Sequence, residues 1–325
     1  MLGQARSGQS VTPDELNNRC IQELEIAGLQ DGKYVAVVGS GPSSPYIPSV
    51  KRLVARITEV CGIVHDSSRP TWDFFESAFN HDEEAYCHVI RESFGMTPFW
   101  TSRTYEQIVG TPFASFVTLN YEDQLPDAFR KKYPTDYSSR FSVYPIWPNL
   151  RLADPCDFHR QHLVAIHGYR NEDNQNWPRN IILKTSDYNR HYLSAEFGHK
   201  LFSWWKELLA SYPCIFIGTS LSEPGVEAVV KNLLNDQNPR FKQLAHLHLI
   251  DVEPLSPQNG QMQEPIYPDP KKTFGVIKQL QFDRIDMRFF GLLNILAHFS
   301  GIPIADPKPG LPALEPITVT NPPSY

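Results

Sequence analysis

Six short apolar runs, each cut off by glycine or polar residues, constrain this chain more than any other feature. They are YVAVV (34–38), FASFVTLN (113–120), FSVYPIW (141–147), HLVAIHGY (162–169), PCIFIGTS (213–220) and HLHLIDV (246–252). Runs this short, rich in β-branched or aromatic residues and bounded by turn formers, read as buried strands. Pro145 weakens the third, because proline cannot donate to a ladder. Helical spacing fills the gaps. Val50, Leu53, Val54, Ile57, Val60 and Cys61 follow the first run, and Val226, Val229, Val230, Leu233 and Leu234 follow the fifth. Ser220 or Ser222 is available to cap that later helix, with Glu223 in its first turn. Strands alternating with helices predict an α/β fold, a doubly wound parallel sheet with helices on both faces.

The flanking segments set the domain plan. Residues 1–30 read as a helical leader, starting at Thr12-Pro13-Asp14-Glu15 with Leu16, Cys20 and Leu24 as an apolar stripe. Residues 63–110 (WDFFESAF, AYCHVIRESF) read as a helical insert, and 283–299 as a closing helix. The main domain then spans 31–300, and the proline-rich stretch 301–325 is an expected tail or extended arm.

Composition narrows the function. Apolar residues make up 41% of the chain, enough for a sizeable core. A net charge of -6 and the shortness of the one basic cluster, Arg130-Lys131-Lys132, argue against direct nucleic-acid binding. No run approaches the roughly 20 apolar residues of a membrane span, and MLGQARSGQSVTPDEL has no apolar leader core. A cytoplasmic protein is expected. The five cysteines (Cys20, Cys61, Cys87, Cys156 and Cys214) form no C-x-x-C pair, so they read as buried structural thiols in a reducing compartment. His159 with His162, and His246 with His248, have spacings a metal accepts, but no cysteine or acid motif accompanies them. No metal is expected.

Chemistry collects where the strands end. In open α/β sheets, ligands bind beyond the carboxyl ends of the strands, near a topological switch point. Gly39-Ser40-Gly41 ends the first run, Thr118-Leu119-Asn120 the second, His167-Gly168 the fourth and Gly218-Thr219-Ser220 the fifth, while Asp251 and Glu253 follow the sixth. These groups suit a dinucleotide. Glycines let the backbone approach a pyrophosphate, and the following helix N-terminus favours its charge. The hydroxyls of Ser40, Ser43, Ser44 and Ser220 can donate to phosphate, and a late carboxylate can accept from ribose hydroxyls. The turn is not G-x-G-x-x-G, because Ser44 stands at the sixth place, so the hydride-transfer fingerprint fails. Trp204-Trp205 reads as core or an oligomer contact, and Tyr188 and Tyr192 fit either the cleft or the packing.

Five segments in order (VVGSGPSS, TLNYEDQL, AIHGY, ILKTSDYNRHY and FIGTSLSEPGVEAVV) resemble the sirtuin-like NAD-consuming proteins. The match is best with the bacterial branch that hydrolyses NAD in antiphage defence. The resemblance implies a Rossmann-like domain. It places Gly39, Ser40 and Gly41 at the pyrophosphate, Asn120 beside the nicotinamide ribose, and His167 as general base or ribose contact. It places Gly218 and Ser220 at the adenine-side phosphate and ribose, with Asp251 or Glu253 a looser match near the adenosine. The family's usual Asn-Tyr-Asp or Asn-Ile-Asp is Asn120-Tyr121-Glu122 here, so either Glu122 or Asp123 is the carboxylate for the ribose. Ser43-Ser44 also departs from the more usual apolar residues.

Family deacylases hold zinc with two cysteine pairs. This chain has none, and its helical insert fills the comparable region. The resemblance therefore implies water as nucleophile, with nicotinamide and ADP-ribose as products and NAD as the substrate. The alternatives are a catalytically silent NAD or ADP-ribose binding module, and a zinc-free NAD-dependent deacylase. A defence role implies regulation by homo-oligomerisation or by a partner subunit, such as a ring-forming ATPase or a short Argonaute-type protein.

Overall fold

The computed structural model describes residues 13–43, 48, 50–95, 103–144, 153–155, 158, 161–170, 176–194, 199–219, 221, 223–252, 278–283 and 290–302. Its centre is an all-parallel sheet of seven strands: β1 (Val35–Val38), β2 (Ser115–Thr118), β3 (Phe141–Val143), β4 (Leu163–Ala165), β5 (Cys214–Ile217), β6 (Leu247–Val252) and β7 (Lys278–Asp283). The spatial order is β3-β4-β2-β1-β5-β6-β7. From β1 the chain builds outward on one side through β2, then crosses back to place β5 on the other. The switch point therefore lies between β1 and β5, and the fold is Rossmann-like α/β. Side chains alternate across a strand, so each strand feeds two cores. Ala36, Val38, Phe116, Ile215 and Ile217 face one cluster, while Val35, Val37, Val117, Val164 and Phe216 face the other.

The first face is covered by α1 (Pro13–Ile26), α5 (Arg103–Gly110), α6 (Gln124–Lys132), α7 (Tyr137–Arg140) and α12 (Phe290–Ser300), through Leu24, Ile108, Phe129, Tyr137 and Leu296. The second is covered by α9 (Lys200–Ser211), α10 (Pro224–Asn235) and α11 (Pro239–Gln243), through Trp205, Leu208, Val229 and Phe241. Trp205 is thus core, as is most of Trp204, whose Nε1 donates to the Ala153 carbonyl at 2.8 Å. A third cluster joins α2 (Val50–Cys61), α3 (Thr71–His81) and α4 (Glu83–Gly95) to Tyr121, Ile181 and Leu183, which follow the ends of β2 and β4. These helices therefore stand over the carboxyl edge of the sheet. The helical stretch expected over 63–110 divides here: α3 and α4 roof the edge, while α5 returns to the sheet through Tyr105 and Ile108. The leader helix is likewise part of the domain, since Cys20 and Leu24 pack into the first core.

Two expectations need correction. The strand β7 (KQLQFD) went unseen, because an edge strand needs no continuous apolar run and this one is largely polar. Residue 283, expected to open the closing helix, ends β7 instead, and the described part of that helix is Phe290–Ser300. The four described cysteines are free and buried, and burial pushes the Cys20 thiol up to about 12. Cys156 and the tail over 303–325 lie outside the described residues.

The turns after β1 and β5 interlock at the switch point. The Gly39 N–H donates to the Ile217 carbonyl at 2.9 Å, and the Gly41 N–H to the Gly218 carbonyl at 2.8 Å. Gly218 has φ +62°, and a Cβ there would fall 2.3 Å from Cδ of Pro42. A Cβ on Gly39 would fall 2.6 Å from the Gly218 carbonyl oxygen. Gly218→Ala combines a left-handed backbone with overpacking, so a loss of about 2 kcal/mol or more is expected. Urea unfolding measures it, and an unchanged midpoint would mean that the two turns separate at little cost.

Candidate active site

Asn120 follows the interior strand β2, where the chain must leave the sheet. Its backbone N–H donates to Oγ1 of Thr118 at 3.1 Å, which holds the turn. Its side-chain Nδ2 lies 2.8 Å from the Gly39 carbonyl, 3.0 Å from Oε1 of Glu122 and 3.1 Å from the Tyr105 hydroxyl. The amide is thereby tied to the β1 turn. Glu122 is buried, and Ser43 and Tyr105 also donate to its Oε1. Burial raises the Glu122 carboxyl pKa, against the pull of these hydrogen bonds.

His167 follows β4, the neighbour of β2. Its Nε2 lies 2.9 Å from the Tyr192 hydroxyl and 3.6 Å from Oε1 of Glu223. Tyr192 sits in a π-helical turn (Asn189–Leu193) after α8 (Thr185–Tyr188). Its hydroxyl accepts from Nε1 of Trp205 at 3.1 Å, so its own proton is free to point at Nε2 of His167. The tyrosine ring rests on the start of α10, where a Cβ at Gly225 would fall 2.2 Å from Cζ. Burial, with His191 adding to it, lowers the His167 pKa to about 3, while a bond to the Leu119 backbone pulls the other way. At neutral pH the ring is a hydrogen-bond acceptor and a weak base, which tempers the general-base role expected for it.

Glu223 is the cap of α10, a role expected for Ser220 or Ser222. Its Oε1 accepts from the Gly225 N–H at 3.1 Å and its Oε2 from the Val226 N–H at 2.7 Å. Tyr188 donates to the same carboxyl, and burial pushes its pKa up to about 7. Leu221, two residues earlier, has φ +57°, a left-handed conformation uncommon for a leucine.

The structure brings Gly39, Ser40, Gly41, Thr118, Asn120, His167 and Gly218 to the carboxyl ends of four adjacent strands. Ser40 is exposed there. Ser43 departs from its expected place at a phosphate, because its hydroxyl turns inward to Glu122 and Tyr105. The Gly39, Gly41 and Ser43 N–H groups also have protein acceptors. Of the two carboxylates weighed for the ribose, Glu122 is enclosed, and Asp123 lies 3.4 Å from Arg170. Asp251 belongs to β6, while Ser44, Ser220 and Glu253 lie outside the described residues. Tyr188 and Tyr192 border the site directly. Sequence reasoning missed Tyr105 and undervalued Glu223, whose only signal was an acid just before Pro224-Gly225. His246 accepts from the Cys214 N–H at 3.2 Å and His248 donates to the Thr219 carbonyl at 2.8 Å. Among the described residues, no three His, Cys, Asp or Glu side chains are grouped to hold a metal, and no helix is long and apolar enough to cross a membrane.

Comparison with known proteins gives one family. The model described as SIR2-like domain matches residues 114–264, which covers β2 through β6 and includes Asn120, His167 and Glu223. The β1 turn precedes the matched stretch but completes the same sheet. No curated protein matches the chain.

Two outcomes follow from this burial. Glu122→Leu strands Ser43, Tyr105 and Asn120 without their acceptor and should cost about 2–3 kcal/mol, whereas Glu122→Gln keeps an oxygen and most of the stability. Urea midpoints compare them, and equal losses would refute the acceptor role. His167 is neutral when folded but gains a proton below its ordinary 6.5 when unfolded. Its contribution is present above pH 6.5 and is lost as pH falls toward 3. The stability gap between wild type and His167→Gln should therefore shrink on acidification from pH 7 to 4.5. A constant gap would mean that the folded ring protonates normally.

Proposed function

We propose that this sirtuin-like chain hydrolyses NAD, cleaving the nicotinamide–ribose bond to give nicotinamide and ADP-ribose. One observation carries the reading: Asn120 and His167 end adjacent strands, and the Asn120 amide is bonded to the Gly39 carbonyl in the switch-point turn. One sheet edge thus gathers an amide, an imidazole and a glycine turn, the groups that a single dinucleotide would need. Cleavage passes through an oxocarbenium-like transition state, as in other glycosyl transfers. The protein must hold the ribose, exclude bulk water and aim one nucleophile. Asn120, fixed by Gly39 and Glu122, orients the ribose or the attacking water. Nε2 of His167 accepts from a ribose hydroxyl or the water, in the place now taken by the Tyr192 hydroxyl. Ser40 and the Gly218 turn lie on the phosphate side of that arrangement.

The role we assign is toxic effector of an antiphage system. His167 is 1% exposed and Tyr192 covers its reactive nitrogen, which suits a site kept silent until assembly or a partner rearranges it. Homo-oligomerisation, a ring-forming ATPase or a short Argonaute-type subunit would supply that step.

The test is NAD loss with the purified chain, alone and with co-purifying partners, followed by chromatography of the products. Wild type should release nicotinamide and ADP-ribose, with Asn120→Ala and His167→Ala each at least about 100-fold slower. Full activity in both variants would remove the site assignment. Tight NAD binding without turnover under every condition would favour the silent binding module, and turnover only with acyl-lysine peptide the deacylase.

A further inference from the structure

Hydrolysis of NAD leaves a proton to be placed. Water adds to C1′ of the ribose as the C1′–N bond breaks, and the electron pair leaves with nicotinamide, which departs neutral. One hydrogen of the water must go to a base. His167 is the histidine at the site, but it is enclosed in protein and its Nε2 faces the Tyr192 hydroxyl. The Tyr192 hydroxyl is itself held between Trp205 and His167.

The other group beside that nitrogen is Glu223. Its carboxylate is 3.6 Å from Nε2 of His167, and its side chain is 12% exposed against 1% for the histidine. Of the pair, it is the member that water can reach. Capping alone does not explain a glutamate here. Shorter Ser, Thr, Asp and Asn side chains are the favoured caps, and the extra methylene brings the carboxylate to the histidine. The two capping bonds also leave lone pairs on the carboxylate oxygens.

We infer that Glu223 is a further catalytic residue, the carboxylate that accepts the proton of the attacking water. The inference rests on the proposed NAD cleavage. In the step, the water oxygen bonds to C1′, nicotinamide leaves with the C–N electron pair, and the water proton passes to Glu223. The carboxylic acid then returns the proton to solvent at the edge of the cleft. His167 and Asn120 hold the water and ribose for that transfer.

The surroundings suit this task. Glu223 is faced by His167 after β4, Tyr121 after β2, Tyr188 from α8 and Tyr192 from the π turn, with Glu227 one turn along its own helix. The tyrosines keep their protons far above neutrality. Burial and Glu227 favour the neutral acid, while the helix N–H groups and Tyr188 favour the carboxylate. The balance falls at about 7, which leaves the group able to take up and release a proton at neutral pH.

The experiment uses the chain in the form that turns over NAD and measures kcat and KM from pH 5.5 to 8.5. For wild type, kcat/KM should rise with pH through an apparent pKa near 7, where Glu223 ionises. Glu223→Gln keeps one of the two capping oxygens. It should fold with a thermal midpoint lowered by no more than about 5 °C, keep KM, lose roughly 100-fold or more in kcat, and lose the acid limb. Glu223→Asp keeps charge and cap but shortens the reach, and should fall between the two. A Gln variant within about threefold of wild type with the same pH profile overturns the inference. If the Gln variant does not fold, the wild-type profile decides, because His167 does not titrate in this range and a flat profile overturns the inference. Absence of NAD turnover by wild type overturns the reaction itself. Turnover that is indifferent to Glu223 overturns only the role given to this residue.

Discussion

The backbone contact between the β1 and β5 turns sets every distance in the site. Gly39 and Gly41 donate to Ile217 and Gly218, and no side chain fits between the two segments. Because the contact is glycine against glycine, the turns meet at the reversal of strand order. Asn120 reaches that contact through the Gly39 carbonyl, and the β5 turn leads within a few residues to Glu223. The glycines are what let the two strand ends come this close.

Two buried polar groups are built on that frame, and they solve opposite electrostatic problems. Around Glu122, three donors from three parts of the chain converge on one oxygen, and the group serves rigidity. Around His167, the ring is desolvated and neutral, with a hydroxyl and a carboxylate at its edge. The first fixes an amide in place. The second keeps titratable groups close together beside a partly exposed carboxylate. Such perturbed groups in a cleft are where chemistry is expected.

Much of this was legible in the sequence, and the exceptions have physical causes. The interior strands β1, β4 and β5 are apolar on both faces, so YVAVV, CIFI and their like announce themselves. The strand ends are equally plain, because glycine, asparagine and histidine interrupt those runs. β7 escaped because an edge strand carries no such run. Tyr105 escaped because it lies far from Asn120 in the chain and only the return of α5 to the sheet brings them together. Glu122 stood beside Asp123 as a candidate for the ribose because a motif match cannot say which way a side chain turns. Ser43 is the same case, a hydroxyl in a glycine-rich turn that points into the protein.

The π turn at Asn189–Leu193 has a consequence for how the site can change. A π turn carries one residue more than the α-helical turn it replaces. The contact between Tyr192 and His167 thus depends on the register of the turn as well as on the side chain at 192. Loss of one residue there would restore regular winding and swing the tyrosine by about 100° around the axis. Substitutions elsewhere in the turn leave that phase intact. The hydroxyl over the histidine therefore survives substitutions at the other positions of the turn but not a single-codon deletion, which makes the length of this turn a heritable setting of access to the ring.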